Sequence, residues 1–328
     1  MLSFKEYLIE SKQLLLCGGN VFKGKTASIK LEHIKPTLAA YFAELKQIFP
    51  KKAAIFNDKH FHPLGSVGLK KMSGDIDLAI ESTDLLDAEM SDKSMSLWGV
   101  DPKAVHVEFA KLEKRAKTSS KEQLLMKAFL KELVQKINSS APNVYADENK
   151  ITPGNIFTLY PQIDTEDAHV GIGVQIDIMI GNLQWLKFSY HSDAYPEDSN
   201  VKGLCRTQLV LSLFQTAGYS FNHVSGVKDK ETGEIVATNP EQALTILSSK
   251  LKIKFTKENV KNYYTLCELI KKLPKKQYDQ TLDTFLKILD STRIGVPDNL
   301  RDEWKSRKDR LHLTGKFLPQ DDPMREFL

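Results

Sequence analysis

The chain has 328 residues, of which 41% are hydrophobic and 27% are charged; this composition is typical of a globular protein with one large domain or two smaller ones. Its formal net charge of +4 is too small to indicate a nucleic-acid partner. No segment approaches the roughly 18 consecutive apolar residues that a membrane span needs, so the sequence excludes a transmembrane role and predicts no membrane partner.

The expected cellular location follows from the cysteine content and from the first twelve residues. The three cysteines, Cys17, Cys205 and Cys267, are too far apart for a CxxC zinc motif and too few for a disulfide framework. Residues 1–12 alternate charged and apolar groups and lack the apolar core of a secretory signal. We therefore expect a cytoplasmic protein.

The N-terminal part predicts two helices on either side of a glycine-rich segment. A short amphipathic helix carries Phe4, Tyr7 and Leu8, and a second helix is expected from about Pro36, which suits a first turn. The apolar residues of the second helix recur every three or four positions, as expected for one buried face: Leu38, Tyr41, Phe42, Leu45 and Ile48.

The glycine-rich segment, residues 17–26, has the spacing of a phosphate-binding loop, GxxxxGK[ST], from Gly19 to Thr26. In such a loop a helix begins at the Lys-Thr pair, whereas here the predicted helix begins ten residues after Thr26. An ordinary turn is therefore the favoured interpretation, with a nucleotide-binding loop as the alternative.

Residues 53–80 predict the order strand, loop, short helix, strand, and a polar stretch follows over residues 82–101. Two helices come next. The first, about residues 103–117, has the apolar positions Val107, Ala110, Leu112 and Ala116. The second begins after Ser119-Ser120-Lys121-Glu122, a capping-box pattern, and has one apolar side: Leu124, Leu125, Ala128, Phe129, Leu133 and Ile137.

The remaining chain predicts strands and then helices. β-like runs begin at Asn143 and end with a strand over residues 174–180. A helix is expected over residues 202–217, and the chain from Phe255 onward is predicted to be helical.

Three aspartates on two predicted strands carry the strongest functional signal. In Asp75-Ile76-Asp77-Leu78-Ala79-Ile80 the two carboxylates project to one side of a strand and the apolar residues to the other. In Gln175-Ile176-Asp177-Ile178 the Asp177 carboxylate likewise projects to the side opposite the isoleucines. If the strands are neighbours, the three acids converge and repel one another unless a hard divalent cation neutralises them. The expected ion is Mg²⁺, with Mn²⁺ as a possible substitute.

A glycine and a serine upstream indicate a phosphate site. Gly65-Ser66, placed before a short helix, would let backbone N–H groups approach a phosphate, and Lys70 or Lys71 would add positive charge. A phosphate-binding site next to a metal-binding site is typical of enzymes that catalyse phosphoryl or nucleotidyl transfer.

These residues resemble the DNA polymerase β-like nucleotidyltransferase superfamily, whose pattern joins Gly-Gly or Gly-Ser to Asp-apolar-Asp and a later third acid. Leu64-Gly65-Ser66, Asp75-Ile76-Asp77-Leu78 and Asp177 fit that pattern. The segment Ser73-Gly74-Asp75-Ile76-Asp77 looks especially like the family X DNA polymerases. The N-terminal segment also looks like uncharacterised reading frames of tailed phages, which would place the protein in a host cytoplasm.

The resemblance covers about residues 53–250 and implies further site residues. Tyr190-His191-Ser192 stands where family X enzymes have a turn at the sugar of the incoming nucleotide, and Arg206 lies on the following helix. Tyr190, Ser192 and Arg206 are therefore expected to contact nucleotide, together with Gly65, Ser66, Lys70 and Lys71. Residues 1–52 are too few for the family X lyase domain, so we do not expect gap repair.

Two further features have alternative interpretations. His60 and His62 could ligate a metal, but an exposed pair is favoured because no third soft ligand is near in sequence. Residues 251–328 contain 17 basic and 12 acidic residues, against 29 and 30 in residues 1–250. The helix around Trp304 could be a solvated, ion-paired face, or it could contact phosphates while Trp304 stacks on a base.

The sequence thus predicts an α/β (α+β) nucleotidyltransferase palm over residues 53–250, with a small mixed or antiparallel sheet and a helical insertion at about 101–140. A helical segment, 1–52, precedes it, and a basic helical region, 251–328, follows. The expected reaction moves a nucleoside monophosphate from an NTP or dNTP to an acceptor hydroxyl with release of pyrophosphate. Asp75, Asp77 and Asp177 would hold two metal ions.

The acceptor is left open by the sequence. A nucleic-acid 3′-end is favoured, and tRNA, a small molecule or a protein are alternatives. A non-catalytic nucleotide-binding protein or a phage structural protein with this fold is the alternative outside enzymes. The oligomeric state is not predicted.

Overall fold

The computed structural model describes residues 21–22, 24–116, 119–164, 169–195, 201, 203–292 and 295–315, with the backbone alone for 169–171. The chain forms two compact units, Met1–Leu183 and Gln184–Leu328. The boundary between them falls inside the segment 53–250 that the sequence assigns to one palm. The expected N-terminal helix with Phe4, Tyr7 and Leu8 lies outside the described residues.

A mixed five-stranded sheet is the centre of the first unit. In chain order the elements of this unit are β1 (Ile29–Lys30), α1 (Leu31–Ile48), a 3₁₀ helix (Pro50–Ile55), β2 (His62–Pro63), β3 (Met72–Ser73), β4 (Ile76–Glu81), α2 (Ser82–Leu85), α3 (Asp92–Leu97), α4 (Pro102–Glu113), α5 (Lys121–Ser140), β5 (Tyr145–Ala146), β6 (Asn155–Ile163) and β7 (His169–Gly181). The strand order in the sheet is β2-β4-β7-β6-β5. Strands β4 and β7 are parallel, and the other neighbours are antiparallel.

One face of this sheet is packed into the core of the unit. Side chains alternate along a strand, so Ile76, Leu78 and Ile80 of β4 all point into the core, where they are buried. Helix α1 packs on β6. There the Tyr41 hydroxyl and Thr158 Oγ1 share a hydrogen bond of 3.1 Å. The opposite face of the sheet is therefore available for polar residues.

Helix α1 begins at Leu31, five residues before the predicted start, and Pro36 lies inside it. The first turn is fixed by the β1–β3 pairing, and the Leu31 N–H donates to the Lys71 carbonyl at 2.9 Å. Long-range pairing of this kind leaves no mark in the local sequence. The buried residues Tyr41, Phe42 and Leu45 confirm the predicted face.

Two predicted features of residues 50–113 are wrong. The expected strand from residue 53 is a 3₁₀ helix, which begins at Pro50, a residue that favours a helix start. In α4 the buried residue is Val105, whereas Val107 is 58% exposed. Residues two apart on a helix lie on nearly opposite sides, so Val107 points to solvent. Ala110 is exposed as well, whereas Leu112, also a predicted position, packs against the core.

Helix α5 follows the prediction closely. Its capping box joins Ser120 to Gln123, one residue later than the sequence pattern suggested. The apolar side is buried at five of the six predicted positions: Leu124, Ala128, Phe129, Leu133 and Ile137.

The second unit is helical around a small antiparallel sheet of three strands. In chain order its elements are α6 (Leu183–Ser189), which begins at the last residue of the first unit, α7 (Gly203–Thr216), β8 (Tyr219–Asn222), β9 (Gly226–Asp229), β10 (Ile235–Ala237), α8 (Pro240–Leu251), α9 (Lys257–Lys261), α10 (Tyr263–Ile270), α11 (Lys275–Thr292), a 3₁₀ helix (Asp298–Leu300) and α12 (Arg301–Leu311). The strand order is β10-β9-β8, and helix α7 is central and packs on α11 and β8.

Trp304 on α12 is wholly buried in the core of this unit, so it cannot stack on a base. The stacking alternative for Trp304 is therefore wrong, because the residue is needed for packing. Arg307, one turn later, donates to Glu303, Asp283 and Asp279 at 2.8–2.9 Å. The ion-paired helix is thus the alternative that the structure supports. Among the described residues, no helix has the length and apolar character that crossing a bilayer requires.

Candidate functional site

The pairing of β4 with β7 brings two of the predicted aspartates side by side. Asp77 is the register partner of Asp177 in this parallel pair. Partners in a sheet point to the same side, and here Ile76 and Ile176, one residue earlier, point together into the core. Asp77 and Asp177 therefore share the opposite face.

Asp75 completes a compact cluster. It stands directly before β4, and carboxylate oxygens of Asp75, Asp77 and Asp177 all lie within 4.8 Å of one another. Asp177 is only 6% exposed, and the other two are partly buried. The sequence prediction that three acids converge is confirmed for these residues.

Burial raises the pKa of all three acids, and the charges of neighbouring acids add to the rise for Asp77 and Asp177. Burial, followed by the charge of Asp75, raises the pKa of Asp77 to about 7. Burial raises the pKa of Asp177 to about 8, with the charges of Asp77 and Asp75 adding to the effect. Burial also raises the pKa of Asp75. Three ionised carboxylates at this distance are unfavourable without a cation between them.

Gln175 supports Asp177 from two residues earlier on the same face of β7. Its Nε2 donates to both carboxylate oxygens of Asp177, at 2.8 and 3.0 Å, and this contact opposes the rise of the Asp177 pKa. Its Oε1 accepts the Val21 N–H at 3.0 Å. Both ends of this buried amide are therefore used, and the Asp177 carboxylate is held in one orientation. The sequence analysis missed Gln175, although its strand phase places it beside Asp177.

Gly65 lies against Asp77. The Leu64 N–H donates to the Asp77 carbonyl at 2.9 Å, and Gly65 has φ +61°, a left-handed conformation that other residues rarely adopt. A Cβ on Gly65 would stand 3.2 Å from Asp77 Oδ2. Glycine at position 65 therefore allows the left-handed turn and leaves room for the Asp77 carboxylate.

The short helix predicted after Gly65-Ser66 is absent from the structure. Residues 66–69 form a turn, with the Leu69 N–H donating to the Ser66 carbonyl at 3.0 Å. Gly68, at φ +78°, lies outside helical geometry and ends any helix there. A phosphate site at a helix N-terminus is therefore ruled out for this turn. Ser66 and Lys70 are partly buried and Lys71 is exposed, all on the loop between Gly65 and Asp75.

The other expected nucleotide contacts lie in the second unit. Ser192 is buried against Gly203, where an added Cβ would stand 2.2 Å from Ser192 Oγ. The Tyr190 ring packs on His223, with centroids 5.1 Å apart. Arg206 is 1% exposed and donates to the carbonyls of Phe188 and Val260. Ser192 is thus a packing residue, and Arg206 is anchored by the backbone.

The phosphate-binding-loop alternative for residues 19–26 is not supported. Gly19 lies outside the described residues. Thr26 forms a β-bridge with Gly173, the Lys25 N–H closes a turn on the Phe22 carbonyl at 3.0 Å, and α1 begins only at Leu31. A phosphate-binding loop needs the helix to begin at the Lys-Thr pair, so the hydrogen bond from Lys25 to Phe22 is that of an ordinary turn.

His60 does not act with His62 as a free ligand pair. Its Nδ1 contacts Asp84 Oδ2 at 2.8 Å, and the pair is partly exposed. Both histidines are half-buried, so the expected exposed pair differs from the structure.

Comparison with known proteins adds no family to these observations. No model of a known protein family matches the chain, and no curated protein matches it significantly.

The cluster fits a hard divalent cation. All its donors are carboxylate oxygens, the ligands that Mg²⁺ and Mn²⁺ prefer, and their repulsion gives a cation a large local attraction. Among the described residues, this is the one group of three or more His, Cys, Asp or Glu side chains close enough to hold a metal.

Proposed function

We propose that the first unit is a divalent-metal-dependent nucleotidyltransferase with a palm-like mixed sheet. The observation that carries the proposal is the in-register pairing of Asp77 with Asp177 on parallel strands, with Asp75 two residues before Asp77. This arrangement presents three carboxylates on one polar face of the sheet. It is supported by the glycine turn at Gly65, which leaves room for the Asp77 carboxylate.

In this proposal the residues have separate roles. Asp75 and Asp77 would hold the metal ions from one strand, and Asp177 would complete the ligand set from the neighbouring strand. When bound, Mg²⁺ supplies charge neutralisation for the phosphates and lowers the pKa of the acceptor hydroxyl. Gln175 keeps the Asp177 carboxylate turned toward the cluster, and Gly65 allows the approach of a ligand to Asp77.

The proposed reaction forms a bond between an acceptor hydroxyl oxygen and the α-phosphorus of a nucleoside triphosphate. The bond from that phosphorus to the bridging oxygen breaks, pyrophosphate leaves, and the hydroxyl proton passes to solvent. A nucleic-acid 3′-end is the acceptor that we favour, on the motif order that resembles the family X enzymes.

The proposal is tested by offering each α-labelled NTP and dNTP, with Mg²⁺ or Mn²⁺, to single-stranded, primed and tRNA acceptors. We expect label to enter one acceptor class with wild-type protein and none with Asp75→Asn/Asp77→Asn. The matched control is Asp58→Asn/Glu89→Gln, which removes two exposed carboxylates of the same unit and should retain transfer. Equal labelling by the Asp75→Asn/Asp77→Asn variant would refute the assignment, and nucleotide binding without any product would favour a non-catalytic role.

A further inference from the structure

The second unit contains a cavity of about 500 Å³ that the proposed function does not use. It is lined by residues of α6, α8 and α9, together with Arg206 of α7 and His191. A volume of this size is within the range of small-molecule binding pockets. Its distinctive feature is the charge of its lining.

Arg206 brings a buried positive charge to the cavity. It is 1% exposed, with Nε donating to the Val260 carbonyl at 2.8 Å and Nη1 to the Phe188 carbonyl at 2.6 Å. Both partners are neutral, and among the described residues no carboxylate forms an ion pair with this guanidinium. Burial lowers the Arg206 pKa to about 10, so the group is still charged at neutral pH. The Phe188 ring, 4.9 Å from the guanidinium, and the two carbonyls offset part of the cost of burying this charge, and an anion in the cavity would offset more of it.

His191 adds an unsatisfied polar atom to the same lining. Its Nε2 is buried and has no hydrogen-bond partner in the described part of the chain. Burial, with the charges of Arg206 and Lys261, lowers the His191 pKa, so the ring is neutral near pH 7. In the tautomer protonated at Nε2, it would donate a hydrogen bond to a ligand oxygen.

The exposed part of the lining is also positive. Lys257 pairs with Glu241, which cancels two of the charges. Lys187, Lys261 and Glu258 remain, and within the described residues none of them forms an ion pair. With Arg206 the cavity thus has two more positive than negative charges.

A purely structural role for Arg206 explains its two bonds to carbonyls, since they join α7 to the ends of α6 and α9. Because these carbonyls lie in the last turns of two helices, and because the guanidinium lies 4.9 Å from the centre of the Phe188 ring, a structural role also accounts for the positive charge. It does not account for the positive charge of Lys187 and Lys261 in the same lining, or for the buried His191 Nε2 that has no partner among the described residues. We propose that this cavity binds a phosphate-class oxyanion of a small molecule, with Lys187 and Lys261 contacting it and Arg206 adding positive charge from beneath. The proposal concerns the second unit alone and does not depend on the aspartate cluster.

The test is calorimetric titration of the full chain with inorganic phosphate, tripolyphosphate and a nucleoside triphosphate, all in EDTA. EDTA removes divalent cations, so binding through the aspartate cluster does not contribute. The test variant is Lys187→Ala/Lys261→Ala, because both side chains are exposed and their truncation should leave the fold intact. The matched control is Lys272→Ala/Lys287→Ala, which removes the same charge from exposed positions of this unit outside the cavity.

We expect saturable binding of at least one of the three anions, weakened roughly tenfold or more by Lys187→Ala/Lys261→Ala and unchanged by the control, as expected for charge-assisted hydrogen bonds. Which anion binds most tightly distinguishes a free phosphate from the phosphates of a nucleotide. Arg206→Lys, checked for folding by its thermal transition, should also weaken binding. Absence of saturable binding of all three anions, or equal loss in both lysine variants, would overturn the proposal.

Discussion

At Asp77 the backbone and the side chain are both constrained by the turn before β4. The Asp77 carbonyl accepts the Leu64 N–H, and its Oδ2 occupies the space that a side chain at Gly65 would need. One residue, Gly65, therefore controls both the local backbone and the approach to the acid cluster.

Replacing Gly65 with alanine should affect stability and metal binding together. The left-handed φ of +61° makes alanine unfavourable by about 1–2 kcal/mol, and the new Cβ would displace the Asp77 carboxylate. Gly68→Ala is the matched control, because Gly68 has φ +78° with nothing within 4 Å of an added Cβ. Denaturant unfolding should show similar losses for both variants, whereas Mn²⁺ affinity should fall for Gly65→Ala alone. An equal fall in Mn²⁺ affinity for both would contradict the role of Gly65.

Gln175→Met should weaken the site by removing the support of Asp177. The Val21 N–H would lose its acceptor, at a cost of about 1–3 kcal/mol, and the Asp177 carboxylate would lose two hydrogen bonds. Loss of an outer partner of this kind lowers metal affinity by roughly 10–100-fold. Gln162→Met is the control, since Gln162 is also buried but donates to the Ala27 and Ser28 carbonyls. If Gln162→Met reduces Mn²⁺ affinity as much, Gln175 has no special role.

The aspartates could be predicted from sequence because two-residue alternation and Asp-apolar-Asp spacing are local signals. Gln175 carries the same alternation, but a lone glutamine in a strand has no distinctive pattern. Its function depends on Val21, 154 residues away in the chain, and that contact exists only after folding.

Among the elements, β4 and β7 matter most for the site, and both strands were predictable because each places an aspartate between apolar residues that alternate along the strand. That the two strands are neighbours was an assumption at the sequence level, and their parallel direction was not predicted. The turn after Gly65 was not predictable as such, because its form depends on the left-handed conformation of Gly68 and on the contact of Leu64 with β4.

Helix α12 illustrates the difference between charge counting and structure. Its basic residues suggested phosphate contacts, yet Arg307 is only 11% exposed and is enclosed by three carboxylates from α11 and α12. The positive charge of Arg307 is therefore neutralised by carboxylates of the same unit.

Arg307→Ala should destabilise the second unit by about 2 kcal/mol, because it leaves three carboxylates near one another without their shared cation. Arg310→Ala is the comparison, since Arg310 contacts Asp283 from a position that is 57% exposed and should matter much less. Unfolding curves of the two variants check this difference. Equal stability of Arg307→Ala and wild type would show that the network is not stabilising.

For the whole molecule, the acid cluster should couple stability to pH and to metal. The folded-state pKa values of Asp77 and Asp177, about 7 and about 8, lie above the ordinary value of 3.8. Between pH 4 and pH 8 the folded chain therefore binds more protons at these groups than the unfolded chain. The cluster's contribution to the free energy of unfolding must then fall as pH rises through this window, and it levels off above about pH 8.

Asp77→Asn/Asp177→Asn should therefore be more stable than wild type in EDTA at pH 8, by an amount on the order of a few kcal/mol. This difference in stability should shrink toward pH 4, where Asp77 and Asp177 become protonated in the unfolded as well as in the folded wild-type chain. Denaturant unfolding at pH 5 and pH 8 measures the difference, and Mg²⁺ should restore the stability of wild type alone. A variant that is equally stable or less stable at pH 8 would contradict the raised pKa values.

The division of the molecule into units was not predictable from composition. The boundary at Leu183 comes directly after the strand that carries Asp177, and α6 continues the chain without a glycine- or proline-rich linker. The two units are distinguished by their internal contacts, which form only when the chain folds. The sequence therefore suggested a palm that extends to residue 250.

The most direct test of the account is Mn²⁺ titration of the purified protein, followed by electron paramagnetic resonance at about pH 7.5. We predict saturable binding by wild type and by the control Asp58→Asn/Glu89→Gln. We predict a loss of at least tenfold in Mn²⁺ affinity for Asp77→Asn, because this variant lacks one of the three carboxylates of the cluster. Affinity should also rise from pH 6 to pH 8, because binding displaces protons from Asp77 and Asp177. Wild-type affinity in Asp77→Asn, or no specific Mn²⁺ binding by wild type, would contradict the claim that the three aspartates form a metal centre.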